Sequence, residues 1–384
     1  MTVVKLPRED GSIETHELGR HEAVTPGPDP PRTRVAYAAA HIVADPLGDP
    51  VGPSAIDWEA TMAFRHHLWS LGLGVADAMD TAQRGMGLAI DDVQQLIRLS
   101  IREARSVGGL LACGITTDEL EGPGHSLDEI VSAYLEQLAL VEEEGGKAVM
   151  MASRALGATA QRPDDYADVY RRVLSQASQP VIIHWLGPMF DPTLDGYWGS
   201  REPYEAMETL LGIVSDNANH VDGAKISMLD DDLEVAFRKR LPDGVRCYTG
   251  DDFNFPTLIA GDENRHSDAL LGIFDGIAPV ATAALQALDA GDREGFHRLL
   301  EPTLPLSRHI FRAPTYHYKT GLTFLAYLSG HQDHFRMVGG HEGFRSIIHL
   351  ADIVRLADVS GLFTDPDSVA RRLQPVLASA GIGD

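Results

Sequence analysis

Residues 221–228 read VDGAKISM, a run of small and apolar residues with one lysine, Lys225, near its middle. Seven other runs of the same character flank it along the chain. They are RVAYAAAHIV (34–43), GVADAMD (74–80), GLLACGIT (109–116), KAVMMAS (147–153), PVIIHWLG (180–187), VRCYTGD (245–251) and ALLGIFD (269–275). Most are almost continuously apolar and do not alternate. Strands of that kind are covered on both faces, as in a parallel sheet flanked by helices.

The stretches between them carry helical periodicity with readable ends. SLDEIVSAYLEQLALVEEEGG (126–146) opens on a capping box, Ser126 with Glu129, and stops at two glycines. DDVQQLIRLSIREARSVGG (91–109) repeats the plan, with acids first and a glycine stop. Eight strand–helix units in about 260 residues match a (β/α)8 TIM barrel, which takes ~250. The rival is a doubly wound open sheet, which usually shows a glycine-rich nucleotide loop after an early strand. The nearest approach, GLGVADAMD (72–80), has its glycines before the strand, where they cannot cradle a phosphate. The pattern favours an α/β chain built as a barrel.

Residues 1–31 form a polar N-terminal arm ending in TPGPDPP, which reads as extended or loosely ordered. Residues 32–290 hold the barrel. Residues 291–384 read as a helical C-terminal region. No run of eighteen apolar residues occurs, and the first twenty residues lack a signal-peptide pattern, so a cytoplasmic location is expected. A net charge of −24 argues against nucleic acid or an anionic membrane as the main partner. Cys113 and Cys247, both in apolar runs, read as buried free thiols.

The chain has only five lysines, so one inside a buried strand needs a reason. Burial penalises the ammonium and lowers its pKa. A neutral amine is what imine chemistry with a carbonyl compound requires. The structural alternative is a lysine that snorkels to a barrel end or pairs with a carboxylate such as Asp251.

PVIIHWLGP, then VDGAKIS about forty residues on, then RCYTGDD and GIFDGIAPVA, together resemble the dihydrodipicolinate synthase and N-acetylneuraminate lyase superfamily. The order of elements is kept over about residues 33–330. The individual motifs are short; their joint order and spacing carry the likeness. The resemblance implies a class I aldolase on a TIM barrel with its Schiff-base lysine on strand six, which is Lys225 here. It implies no organic cofactor, a small-molecule carbonyl substrate and a homo-oligomer.

The departures bear on substrate. Where the family has a proton-relaying tyrosine near the end of strand five, this chain has His184, a residue able to shuttle protons near neutral pH. A satisfied core histidine is the alternative. The family's strand-two carboxylate grip reads AMDTAQRG (78–85), where only Thr81 survives. The loop LGPMFDPTLDGYWGS (186–200) lacks the arginine that often follows strand five and offers Phe190, Tyr197 and Trp198 as a wall, a lid or an oligomer contact. Asp80, Asp251, His41 and Arg84 are placed to face the barrel mouth, where they suit hydroxyl recognition or acid–base work. A lyase or related dehydratase acting on a small keto acid or keto-sugar is expected, and not a true dihydrodipicolinate synthase. Two alternatives stay open. One is a divalent-metal enzyme using His41, Asp80 and His184; the other is a ligand-binding protein that kept the fold. His66–His67 and His331–His334 match no tight metal signature and read as surface or interface histidines, and Lys319 reads as a packing residue on a C-terminal helix.

Overall fold

The computed structural model describes residues 2–120 and 122–383; Met1 and Asp384, the outer ends of the arm and of the C-terminal region, lie outside them, as does Glu121. The arm folds as a hairpin of β1 (Thr2–Pro7) and β2 (Ile13–Leu18). Eight parallel strands follow: β3 (Ala36–Ala39), β4 (Gly74–Asp77), β5 (Leu111–Ile115), β6 (Lys147–Met150), β7 (Val181–Leu186), β8 (Val221–Ser227), β9 (Arg246–Thr249) and β10 (Asp268–Leu271). Each pairs with its neighbours in chain order, and β10 pairs with β3 to close a barrel. The fold is a TIM barrel, and each of the eight apolar runs supplies one strand.

One parity of each strand points inward. Tyr37, Ala76, Ala112, Val149, Ile182, Tyr248 and Leu270 form a buried cluster of their own inside the barrel. The other parity joins the larger core between strands and helices. The inward positions of β8 hold no large apolar side chain; they are Gly223, Lys225 and Ser227. Gly223 leaves room for Tyr248, whose ring would stand 2.7 Å from a Cβ there. The helix Leu127–Glu143 starts at Ser126 with the capping box formed on both sides. Both cysteines are buried and free.

The arm is not loosely ordered. Val4, Leu6 and Leu18 are buried, and β1 packs on the helices Ile347–Val359 and Pro366–Ser379. Asp358 accepts hydrogen bonds from the Gly19 N–H and pairs with His16 and His21, at 2.9–3.2 Å. Arg355 reaches Glu14 and the Pro7 carbonyl. The C-terminal helices include Arg293–Leu300, Leu304–Ile310 and Tyr318–Leu328. The last is buried along its whole length. Among the described residues no helix is long and apolar enough to cross a membrane.

Candidate active site

Lys225 sits at the centre of β8 and is 5% exposed. In the strand register it stands beside His184 of β7 and Tyr248 of β9. No hydrogen bond or ion pair holds its Nζ among the described residues. Burial lowers its pKa, and the charges of Asp80 and Asp252 oppose that shift without cancelling it. The amine is therefore easier to deprotonate than an exposed lysine, which favours the nucleophilic form.

His184 is fully buried. Its Nε2 lies 3.0 Å from the Ser227 hydroxyl, one inward position beyond Lys225. Its Nδ1 has no partner among the described residues. Burial, and then the charge of Lys225, hold the ring well below the ordinary histidine range, so it is neutral at pH 7 despite Asp80.

Asp80 and Thr81 lie on the short turn Asp80–Ala82 that follows β4. Both meet Tyr318, from the first turn of a C-terminal helix. The Tyr318 hydroxyl donates to Asp80 Oδ2 at 2.7 Å and lies 2.6 Å from Thr81 Oγ1. Tyr318 has one proton and gives it to the carboxylate, so Thr81 is the donor in the second bond. Lys319 Nζ stands 3.7 Å from the same Asp80 oxygen. Burial by itself would push Asp80 up; Lys319, Lys225, His184 and the Tyr318 hydrogen bond together hold it below the ordinary aspartate value. Lys319, expected to serve helix packing, is thus 2% exposed at the site.

Three residues expected at the barrel mouth are tied up by other partners. Asp251 Oδ1 accepts from the backbone N–H groups of Phe253 and Asn254, and Oδ2 accepts from the Asn254 amide. It caps the turn that leads into the helix Phe255–Ala260. The acid of this loop whose charge acts on Lys225 is its neighbour Asp252. Tyr248 stands beside Lys225 in the strand register and Gly250 faces the Lys225 side chain, and Asp252 follows them in the turn after β9. Asp252 accepts from the Ile273 N–H at 2.8 Å. Burial pushes it up to about 8, although that hydrogen bond and the charge of Lys225 pull down. His41 is held by Asp275 at its Nδ1 (2.8 Å) and meets Gln332 at its Nε2 (3.0 Å). Arg84 spends its guanidinium on Asp118, Gln137 and the Ala78 and Gly114 carbonyls.

A cleft of about 870 Å³ opens beside these groups. Asp80, Lys319, Arg154, Leu186, Phe190 and Asp191 are on its wall; Lys225 is not. The loop after β7 divides its aromatics. Phe190 faces the cleft, while Tyr197 and Trp198 are buried against Tyr166 and Tyr170. The back of that loop is an anchor, and its front is a wall. Among the described residues no three His, Cys, Asp or Glu side chains gather closely enough to hold a metal ion. His41, Asp80 and His184 in particular do not form one ligand set.

Solved structures share this architecture. The dihydrodipicolinate synthase of Bacteroides thetaiotaomicron is similar over 89% of this chain and 99% of its own, with a TM-score of 0.62 and 14% identity. That of Thermotoga maritima is similar over 86% and 100%, at 0.62 and 14%. That of Aquifex aeolicus is similar over 91% and 98%, at 0.60 and 14%. The likeness read from the sequence motifs therefore holds at the level of the fold. No curated protein matches the chain by sequence. One family model, described as a protein of unknown function (DUF993), matches residues 4–382. Spanning nearly its whole length, that match makes the chain a member of the DUF993 family.

Proposed function

We propose that the chain is a lyase of the class I aldolase type, or a related dehydratase, that forms an imine through Lys225 with a small polar carbonyl compound. The observation that carries this reading is a buried, unpaired lysine at the centre of a barrel strand, with a lowered pKa and a neutral histidine beside it in register. The neutral amine adds to the carbonyl carbon. Loss of water, with uptake of one proton, leaves an iminium. That cation accepts the electron pair of a neighbouring C–C bond as it breaks, or that of an α C–H bond as its proton leaves, and the enamine then formed can expel a β-hydroxyl, which takes the C–O pair and a proton and departs as water. The lysine itself supplies the electron sink. His184 Nδ1, which has no partner among the described residues, is the proposed site of proton exchange with the bound substrate. Thr81 and Asp80 help to position it, through the side of the site that meets the cleft.

Keto acids and keto-sugars are the compounds to screen. Turnover by the full-length protein is expected to fall by at least about a thousandfold in Lys225→Ala and to survive a chelator, since loss of an activated nucleophile removes the covalent route. Turnover lost to the chelator but kept in Lys225→Ala would reject the imine reading in favour of metal chemistry.

A further inference from the structure

We infer that Tyr318 and Lys319, from the C-terminal helical region, are positioning residues that fix Asp80 as a carboxylate counter-charge to the nitrogen of Lys225. The inference rests on the imine reading above and extends it to a part of the chain outside the barrel.

The geometry converges on one oxygen. Asp80 Oδ2 receives the Tyr318 hydroxyl at 2.7 Å and faces Lys319 Nζ at 3.7 Å. Tyr318 is itself located by Thr81 and by stacking on Phe311, with ring centroids 4.4 Å apart. Lys319 Nζ donates to the Tyr316 carbonyl at 3.1 Å and lies 4.4 Å from the Tyr318 ring. A helix that needed only packing at this position would be served as well by methionine or leucine, because a buried ion pair seldom adds net stability over apolar side chains of similar volume. Yet two of the five lysines of the chain are buried around this one carboxylate.

The arrangement has a use once Lys225 carries an iminium. That cation forms where water is scarce, and a carboxylate already fixed nearby stabilises it without reorganisation. Five ionisable groups face Asp80: Lys319 and Tyr318 from the C-terminal helix, Lys225 from β8, His184 from β7, and Asp252 from the loop after β9. Lys319 is faced in turn by Asp191, Arg154, His317 and His341. Burial acts on Asp80 in the opposite direction to its cationic neighbours. Removing Lys319 or the Tyr318 hydroxyl therefore takes away part of what opposes burial and shifts Asp80 upward.

Carboxyl and side-chain carbon NMR of the full-length protein tests this without a substrate. Labelled aspartate gives the Asp80 titration, assigned through Asp80→Asn. Labelled lysine gives that of Lys225, assigned through Lys225→Arg, in a spectrum of only five lysines. In Lys319→Met the Asp80 midpoint is expected to move up past the ordinary aspartate value, by about one pH unit or more. Tyr318→Phe is expected to move it the same way by less, and Lys319→Arg to restore it. In Asp80→Asn the Lys225 midpoint is expected to fall. An unchanged Asp80 midpoint in folded Lys319→Met overturns the inference. If that variant does not fold, Tyr318→Phe, which removes only a hydroxyl, carries the same criterion. Loss of the Lys225 imine would sink the proposed function and leave these titrations as they are. Unshifted titrations with the imine intact would sink the positioning role alone.

Discussion

Gly250 shows how little space the site leaves. A Cβ there would lie 2.1 Å from Ser227 Oγ and 2.7 Å from Lys225 Cε. Gly250→Ala must displace the lysine side chain or the strand, an overpacking strain of about 1–3 kcal/mol. We expect a lower melting temperature and at least a tenfold loss of imine formation at Lys225; wild-type imine formation in that variant would show that the lysine does not need this position. At this scale the sequence was legible in part. Lys225 stood out because lysine is rare in the chain and its strand is apolar. Asp252 was within reach of the same reading. RCYTGDD offers two adjacent acids, and the sequence alone points to Asp251 without separating it from Asp252. Lys319 and Tyr318 gave no such signal. What places them is the docking of a helix some ninety residues beyond Lys225, a tertiary fact with no local pattern.

Glu234, from the helix Asp231–Arg238, is wholly buried and receives a hydrogen bond from Ser267 Oγ at 2.6 Å, while its other oxygen has no partner among the described residues. Burial pushes its carboxyl from the ordinary value of 4.5 up to about 8, with Ser267 opposing. An acid raised on folding contributes stability that is fully present below its unfolded pKa. That contribution drains away as pH rises, and is gone once pH passes about 8. Between pH 5 and pH 8 the wild-type protein is thus expected to lose up to about 1.4 kcal/mol per pH unit from this one group. In Glu234→Gln the decline in melting temperature over that range should flatten. Parallel curves for the two proteins would place the pH dependence elsewhere. The elements themselves were mostly readable. Apolar runs covered on both faces have few ways to be satisfied other than a flanked parallel sheet, and glycine stops and the Ser126 capping box mark helix ends locally. The N-terminal hairpin was obscured by its polar outer face. Val4, Leu6, Pro7 and Leu18 are its buried residues, and what β1 packs against lies at the other end of the chain.

The whole molecule joins what the sequence divides into barrel and appendage. The hairpin at one end of the chain is clamped by helices from the other, and the helix Tyr318–Leu328 puts its first two residues against the turn after β4. The C-terminal region is therefore part of the candidate site, and its loss would be felt there. The cleft has Asp80 and Lys319 on its wall, while Lys225 is buried and does not line it. Two buried lysines near one carboxylate make the assignment of the nucleophile a question with a direct answer. The decisive measurement is borohydride reduction of the full-length protein in the presence of candidate keto acids and keto-sugars, followed by mass spectrometry of its lysine peptides. The account predicts a stable adduct on Lys225 that is absent in Lys225→Ala. A compound turned over with its adduct on Lys319, or with none on either lysine, would contradict it.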